Sequence, residues 1–233
     1  MPSETIGKFL REPGATGLHI AGGESLLRFN VRLTILGLIG AMMWGAAVGS
    51  YVGGEHAIRT LVKMPVFFAI TLFICFALMH IVLVVSRIVE RPRQTLAISL
   101  ATLCVTTASL GALSPVILLF CVSSPIPNYT AYLNLYLACA LCGALAGVFG
   151  VRYLAHMLRA IAGPGVPVLW PLIWCVLIYQ FVGAQVAYIL RPWIGNSLNL
   201  EGFYNLEHGL KGNFYTGVFA VFRRWLMETG IIT

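Results

Sequence analysis

The sequence predicts an all-α membrane protein: a polytopic bundle of about five transmembrane helices with a C-terminal amphipathic helix at the membrane surface. Two observations lead to this fold class. Of the 233 residues, 59% are hydrophobic and 10% are charged, whereas an average soluble domain has roughly 45–50% and 25%. The hydrophobic residues also fall into five runs, each with the ~20 residues that a helix needs to cross a bilayer.

The five runs divide the chain into three parts. Residues 1–32 are a polar N-terminal segment, and residues 33–190 are the membrane domain, with spans at about 33–53, 66–89, 96–122, 131–153 and 168–190. Residues 191–233 form a tail, in which apolar side chains recur at helical spacing over about 213–227. That stretch is short and charged, which favours a helix lying on the membrane surface over a sixth span.

The basic residues predict the orientation. With five spans, nine of the fifteen Lys and Arg fall on the side of the N-terminus, and the positive-inside rule places that side in the cytoplasm and the C-terminus outside it. We expect a bacterial inner membrane. The net charge of +7 is spread along membrane boundaries, so the expected partners are anionic lipid headgroups and not nucleic acid.

Small residues recur every four positions in two of the predicted spans. They are Gly37, Ala41, Gly45, Gly49 and Gly53 in the first span, and Gly143 and Gly147 in the fourth. Such stripes allow two helices to approach closely, because packing rather than hydrophobicity drives association in lipid. The alternative is a narrow pathway lined by backbone.

The fifth span is the most polar. Its end carries Gln180, Gln185, Tyr188 and Arg191, which are candidates for a pore lining or for contact with a partner. Gln180 and Gln185 lie about 140° apart around a helix, so we expect only one of them to face a cavity or partner. A hydrogen bond between neighbouring helices explains them equally well.

His80 is the one ionisable residue well inside a span. It is a candidate ligand for a haem or a pigment, and the alternative is a neutral histidine bonded to a neighbouring helix. The chain contains no Asp, and its eight Glu fall in predicted tails or loops. The sequence therefore predicts no metal site, no cofactor and no enzymatic activity.

Several strings are similar to those of one group of proteins. They are Ala47–Gly54, Lys63-Met64-Pro65, Leu190-Arg191-Pro192-Trp193 after Gln185, and Gly212-Asn213-Phe214-Tyr215. The chain resembles bacterial five-span proteins of unassigned function, which themselves resemble the Yip (Ypt-interacting protein) family. The resemblance implies five spans, a cytoplasmic N-terminus and an external C-terminus.

Three functional hypotheses follow. The first is a structural or scaffolding subunit that binds other membrane proteins, or further copies of itself, through helix packing. The second is an oligomeric pore or transporter lined by the fifth span and the glycine-rich helices. The third, weaker hypothesis is a haem- or pigment-binding subunit that uses His80.

Overall fold

The computed structural model describes residues 6–23, 25–123, 129–190, 193–194, 219, 223 and 227. All regular secondary structure among these residues is helical, which confirms the predicted all-α class. The helices are α1 (Ile6–Arg11), α2 (Pro13–Gly22), α3 (Leu26–Gly49), α4 (Gly54–Val85), α5 (Pro92–Ser123), α6 (Tyr129–Ala162) and α7 (Leu169–Ile189).

Five of these helices, α3 to α7, are long and apolar enough to cross a membrane. Many large apolar side chains point outward from them, for example Phe73, Leu119 and Phe181. A soluble protein would bury most of that surface, whereas a lipid environment accepts it. The chain is therefore that of a multi-pass integral membrane protein.

The five long helices pack in a row rather than in a closed ring. Helix α3 packs against both α4 and α5, α4 packs against α7, and α5 packs against α6. Helices α6 and α7 stand at the two ends of this row and contact each other little. A cleft therefore remains between α6 and α7.

The helix bounds differ from the predicted spans mainly at polar ends. The second span was predicted from residue 66, but α4 begins at Gly54. The polar segment before residue 66 is helical because its side chains find partners: Arg59 bonds Glu55 one turn earlier at 2.5 Å, and Lys63 packs against the end of α7. Helix α3 likewise begins at Leu26, before the predicted 33, and α6 continues to Ala162, past the predicted 153.

The N-terminal segment, for which the sequence predicted only a polar stretch, contains α1 and α2. Helix α2 packs on α6, where a Cβ atom on Gly17 would lie 2.6 Å from the carbonyl oxygen of Met157. The hydroxyl of Tyr153 in α6 lies 3.0 Å from the carbonyl oxygen of Phe9 and 2.9 Å from the hydroxyl of Thr16. The first two helices are thus anchored to one end of the bundle.

The predicted surface helix over 213–227 lies mostly outside the described residues. Of this stretch, the structure describes Phe219, Arg223 and Met227, all three of which are helical and exposed.

Candidate functional site

A cavity of about 310 Å³ lies between α4, α5, α6 and α7, at the cleft that the row of helices leaves open. This volume is at the lower end of the range for ligand pockets, roughly 300–1,000 Å³. Its walls are mostly apolar and include small residues on two helices, namely Gly143, Gly147 and Gly150 on α6 and Gly183, Ala184 and Ala187 on α7.

The wall formed by α6 has no side chains at Gly143 and Gly147, which lie one helical turn apart. A Cβ atom added to Gly143 or Gly147 would meet no atom of the described residues within 4 Å, whereas one on Gly150 would overlap the hydroxyl of Thr106. Helix α6 therefore leans on α5 at Gly150 and leaves the surface around Gly143 and Gly147 open. At these two positions, the stripe predicted to pack closely against another helix meets none of the helices that the structure describes.

The wall formed by α7 carries the polar groups of the cavity. Gln180 is exposed and lines it. Tyr179 also lines it, but its hydroxyl oxygen is buried and has no hydrogen-bond partner among the described residues. Gly183 lies on the side of α7 that meets α4. A Cβ atom placed on it would lie 3.6 Å from the methyl group of Thr71.

The hydroxyl groups on α5 are already engaged. Ser99, Thr102 and Thr106 line the cavity, and each donates a hydrogen bond to the carbonyl oxygen four residues earlier, at 2.9, 2.9 and 3.0 Å. Because their protons are used within the helix, these groups can accept hydrogen bonds from an occupant but are not free to donate. The occupant that suits this cavity is mainly apolar.

The other sequence-predicted glycines lie elsewhere. A Cβ atom on Gly45 would lie 2.5 Å from the carbonyl oxygen of Thr60, and one on Gly49 would lie 2.7 Å from Cα of Ala57. A Cβ atom on Gly37 would lie 3.5 Å from the hydroxyl of Thr107. Ala41 is buried on the same helix. The three glycines therefore lie at the contacts of α3 with α4 and α5.

Gly53 differs from the rest of its stripe. It precedes α4 with φ of 142°, and a Cβ atom on it would meet nothing within 4 Å. Its glycine is explained by this left-handed backbone rather than by close packing.

The remaining polar candidates of the fifth span are not brought together at the cavity. Gln185 is half-buried and Tyr188 is buried, and neither lines it. Arg191 lies outside the described residues. Of the two glutamines, only Gln180 faces the cavity, in keeping with their separation around the helix.

His80 makes a contact between helices. Its Nδ1 atom lies 2.8 Å from the hydroxyl oxygen of Thr95 in α5, and its ring stacks on Phe76 at a centroid distance of 6.2 Å. Within the part of the chain that the structure describes, no group of three or more His, Cys, Asp or Glu side chains could hold a metal ion.

Two features were missed from the sequence. Helices α3 and α5 approach closely at Gly40, where a Cβ atom would overlap the backbone of Thr107 and where Gly111 faces it across the crossing. The stripe of every fourth residue omits Gly40, since it lies three positions after Gly37. The second feature is a polar group, His56, Thr60 and Lys63, which the sequence placed in a loop and which is buried against the end of α7.

The whole chain was compared with models of protein families, with curated proteins and with solved structures, and none of them matches. The resemblance to Yip-like five-span proteins therefore stays a prediction.

Proposed function

We propose that this protein is a non-enzymatic, scaffolding subunit of a larger membrane assembly, and that it binds a transmembrane helix of a partner in the cleft between α6 and α7. One observation carries the proposal: among the described residues, no atom lies within 4 Å of a Cβ atom placed on Gly143 or Gly147 in the glycine stripe of α6.

Helix packing in lipid supports this choice of occupant. Without a hydrophobic driving force, transmembrane helices associate where small residues let their backbones approach. The small residues of α3 have such neighbours in α4 and α5, whereas Gly143 and Gly147 have none within the described part of the chain. A helix from outside the chain would give this face the same kind of neighbour.

Site-specific photo-crosslinking in native membranes tests the proposal. A photoreactive side chain replaces Gly147 in one variant and Ala144 in the other, because Ala144 is exposed on the same helix but does not line the cavity. We expect one discrete protein adduct from position 147, lost when Gly143→Leu is added, and no such adduct from position 144. Lipid adducts alone at position 147 would contradict the proposal.

A second candidate, a pore or transporter, is favoured by Gln180, a polar side chain that faces the same cavity in a membrane-spanning helix. Polar residues inside membrane helices often mark a solute path. Proteoliposome flux of small neutral solutes separates the two functions. Flux that is lost in Gln180→Leu but kept in Gln185→Leu would favour the path, since Gln185 does not line the cavity.

We further propose that the end of the bundle carrying α1 and α2 faces the cytoplasm of a bacterial cell, with the C-terminus outside. The support is the excess of Lys and Arg on that side, which the positive-inside rule places in the cytoplasm. Alkaline phosphatase fused after Thr233 should be active, because this reporter folds only outside the cytoplasm. An inactive phosphatase with an active cytoplasmic reporter at the same position would reverse the orientation.

A further inference from the structure

A groove enclosing about 580 Å³ lies between the C-terminal end of α4 and the N-terminal end of α7, separate from the cleft between α6 and α7. Most of its lining is apolar and comes from both helices and from the segment before α7, including Ile81, Val82, Val85, Val166, Pro167 and Trp174. Trp170 and Trp174 both line it and form an edge-to-face pair, with ring centroids 5.4 Å apart.

Arg87 lines the same groove and adopts a backbone conformation that is unusual for arginine. It follows the last residues of α4 with φ of 57°. Its own N–H bonds the Val84 carbonyl oxygen at 2.9 Å, and the next N–H, of Ile88, bonds the Leu83 carbonyl oxygen at 3.0 Å. This is the Schellman helix ending, whose left-handed residue is usually glycine because glycine has no Cβ atom.

An arginine in this left-handed conformation is disfavoured for the fold, and backbone strain of this kind clusters at functional positions. The side chain is exposed, and no acidic residue among those described pairs with it. Arg28, Arg32, Arg91 and Arg159 lie toward the same end of the bundle, which is therefore basic. An anionic ligand would therefore be complementary in charge to this end of the bundle.

We infer that this groove is a specific site for an anionic phospholipid, with Arg87 binding the headgroup phosphate and an acyl chain lying between α4 and α7. Three features match the three parts of such a lipid. The guanidinium group suits a phosphate because it offers several donors in one plane. The paired tryptophans suit the interface region at headgroup depth. The apolar residues of α4 and α7 that line the groove suit a hydrocarbon chain.

The proposal is tested by lipid retention in native mass spectrometry. The purified full-length protein is mixed with equal amounts of phosphatidylglycerol and phosphatidylcholine that have the same acyl chains, and the ratio of the two bound lipids is measured. We expect the wild-type protein to retain phosphatidylglycerol preferentially. Inorganic phosphate added in excess should not displace it, because the acyl chain contributes to binding.

Arg87→Gly separates the role of the side chain from that of the backbone. Glycine suits the left-handed position, so the variant should fold at least as well as the wild type. Its preference for phosphatidylglycerol should fall about fivefold, the effect of one basic group at a membrane surface. Arg93→Gln removes the same charge from the same end of the bundle without touching the groove, and it should keep the preference.

Filling the groove gives a second, independent test. Val85→Trp places a large side chain at an exposed position that lines the groove, and Val84→Trp places it at the adjacent position, which does not. Only Val85→Trp should reduce the bound phosphatidylglycerol. The proposal is overturned if Arg87→Gly keeps the wild-type preference, if Arg93→Gln loses it equally, or if both tryptophan variants behave alike.

Discussion

The ammonium nitrogen of Lys63 lies 3.4 Å from the carbonyl oxygen of Leu190, so that a buried side chain of α4 caps the C-terminal end of α7. The chain just beyond is held in the same way. His56 Nε2 and the Thr60 hydroxyl lie 3.1 and 3.3 Å from the carbonyl oxygen of Trp193. Helix ends leave carbonyl groups unpaired and partially negative, and a cation near them is stabilising.

Lys63→Met should destabilise the protein, because it leaves the end of α7 without this donor at a site with almost no solvent access. We expect the free energy of unfolding to fall by about 1–3 kcal/mol, measured by detergent-induced unfolding. Arg59→Met, one turn earlier, removes an exposed ion pair with Glu55 and should cost less than about 1 kcal/mol. Equal losses in the two variants would mean that Lys63 does not act as a cap.

Gly40→Ala should force α3 and α5 apart, because the new methyl group would overlap the backbone of Thr107. Overpacking of this kind costs about 1–3 kcal/mol. Gly143→Ala is the matched control, since its methyl group meets open space and alanine is the better helix former by up to about 1 kcal/mol. The free energy of unfolding of the isolated chain should be lower for Gly40→Ala than for the wild type, and equal or higher for Gly143→Ala.

The contact between His80 and Thr95 should be measurable as a coupling energy. A double-mutant cycle with His80→Phe and Thr95→Val should give about 0.6 kcal/mol, the average for hydrogen bonds between membrane helices. The optical spectrum of the purified protein belongs to the same experiment. Absorbance in the visible range that disappears in His80→Phe, together with zero coupling, would favour the haem or pigment hypothesis instead.

Tyr153→Phe should loosen the N-terminal helices from the bundle, because it removes the hydroxyl that contacts Phe9 and Thr16. Limited trypsin cleavage at Arg11 should then become faster. Tyr179→Phe is the control, since the Tyr179 hydroxyl has no partner among the described residues and its loss should leave cleavage unchanged. Unchanged cleavage in Tyr153→Phe would show that this contact does not hold the segment.

The five long helices could be predicted from the sequence because hydropathy alone decides which segments suit lipid. Their polar ends could not. Glu55 and Lys63 indicate a loop by composition, yet they lie in α4, since one has an ion-pair partner four residues on and the other reaches a helix that is distant in sequence. The Glu55–Arg59 spacing is compatible with a helix, but the partner of Lys63 is distant in sequence and leaves no local signal.

The same limit applies to the candidate site. The sequence identified Gly143 and Gly147 as a packing face, but periodicity does not tell which faces find a neighbour within the chain. Only the row arrangement, with α6 and α7 at its ends, leaves this face open. Gly40 and Gly111 were missed for the related reason that their close approach depends on where two helices cross.

The most direct test of the proposed docking cleft is native mass spectrometry of assemblies extracted gently from the native membrane. Gly147→Leu fills the open face of α6, and Ala144→Leu adds the same side chain to an exposed position outside the cavity. We predict that a partner subunit leaves the membrane with the wild type and with Ala144→Leu, and is absent or reduced at least tenfold with Gly147→Leu, a loss of about 1.4 kcal/mol or more. Equal retention of the partner by both variants would contradict the proposal.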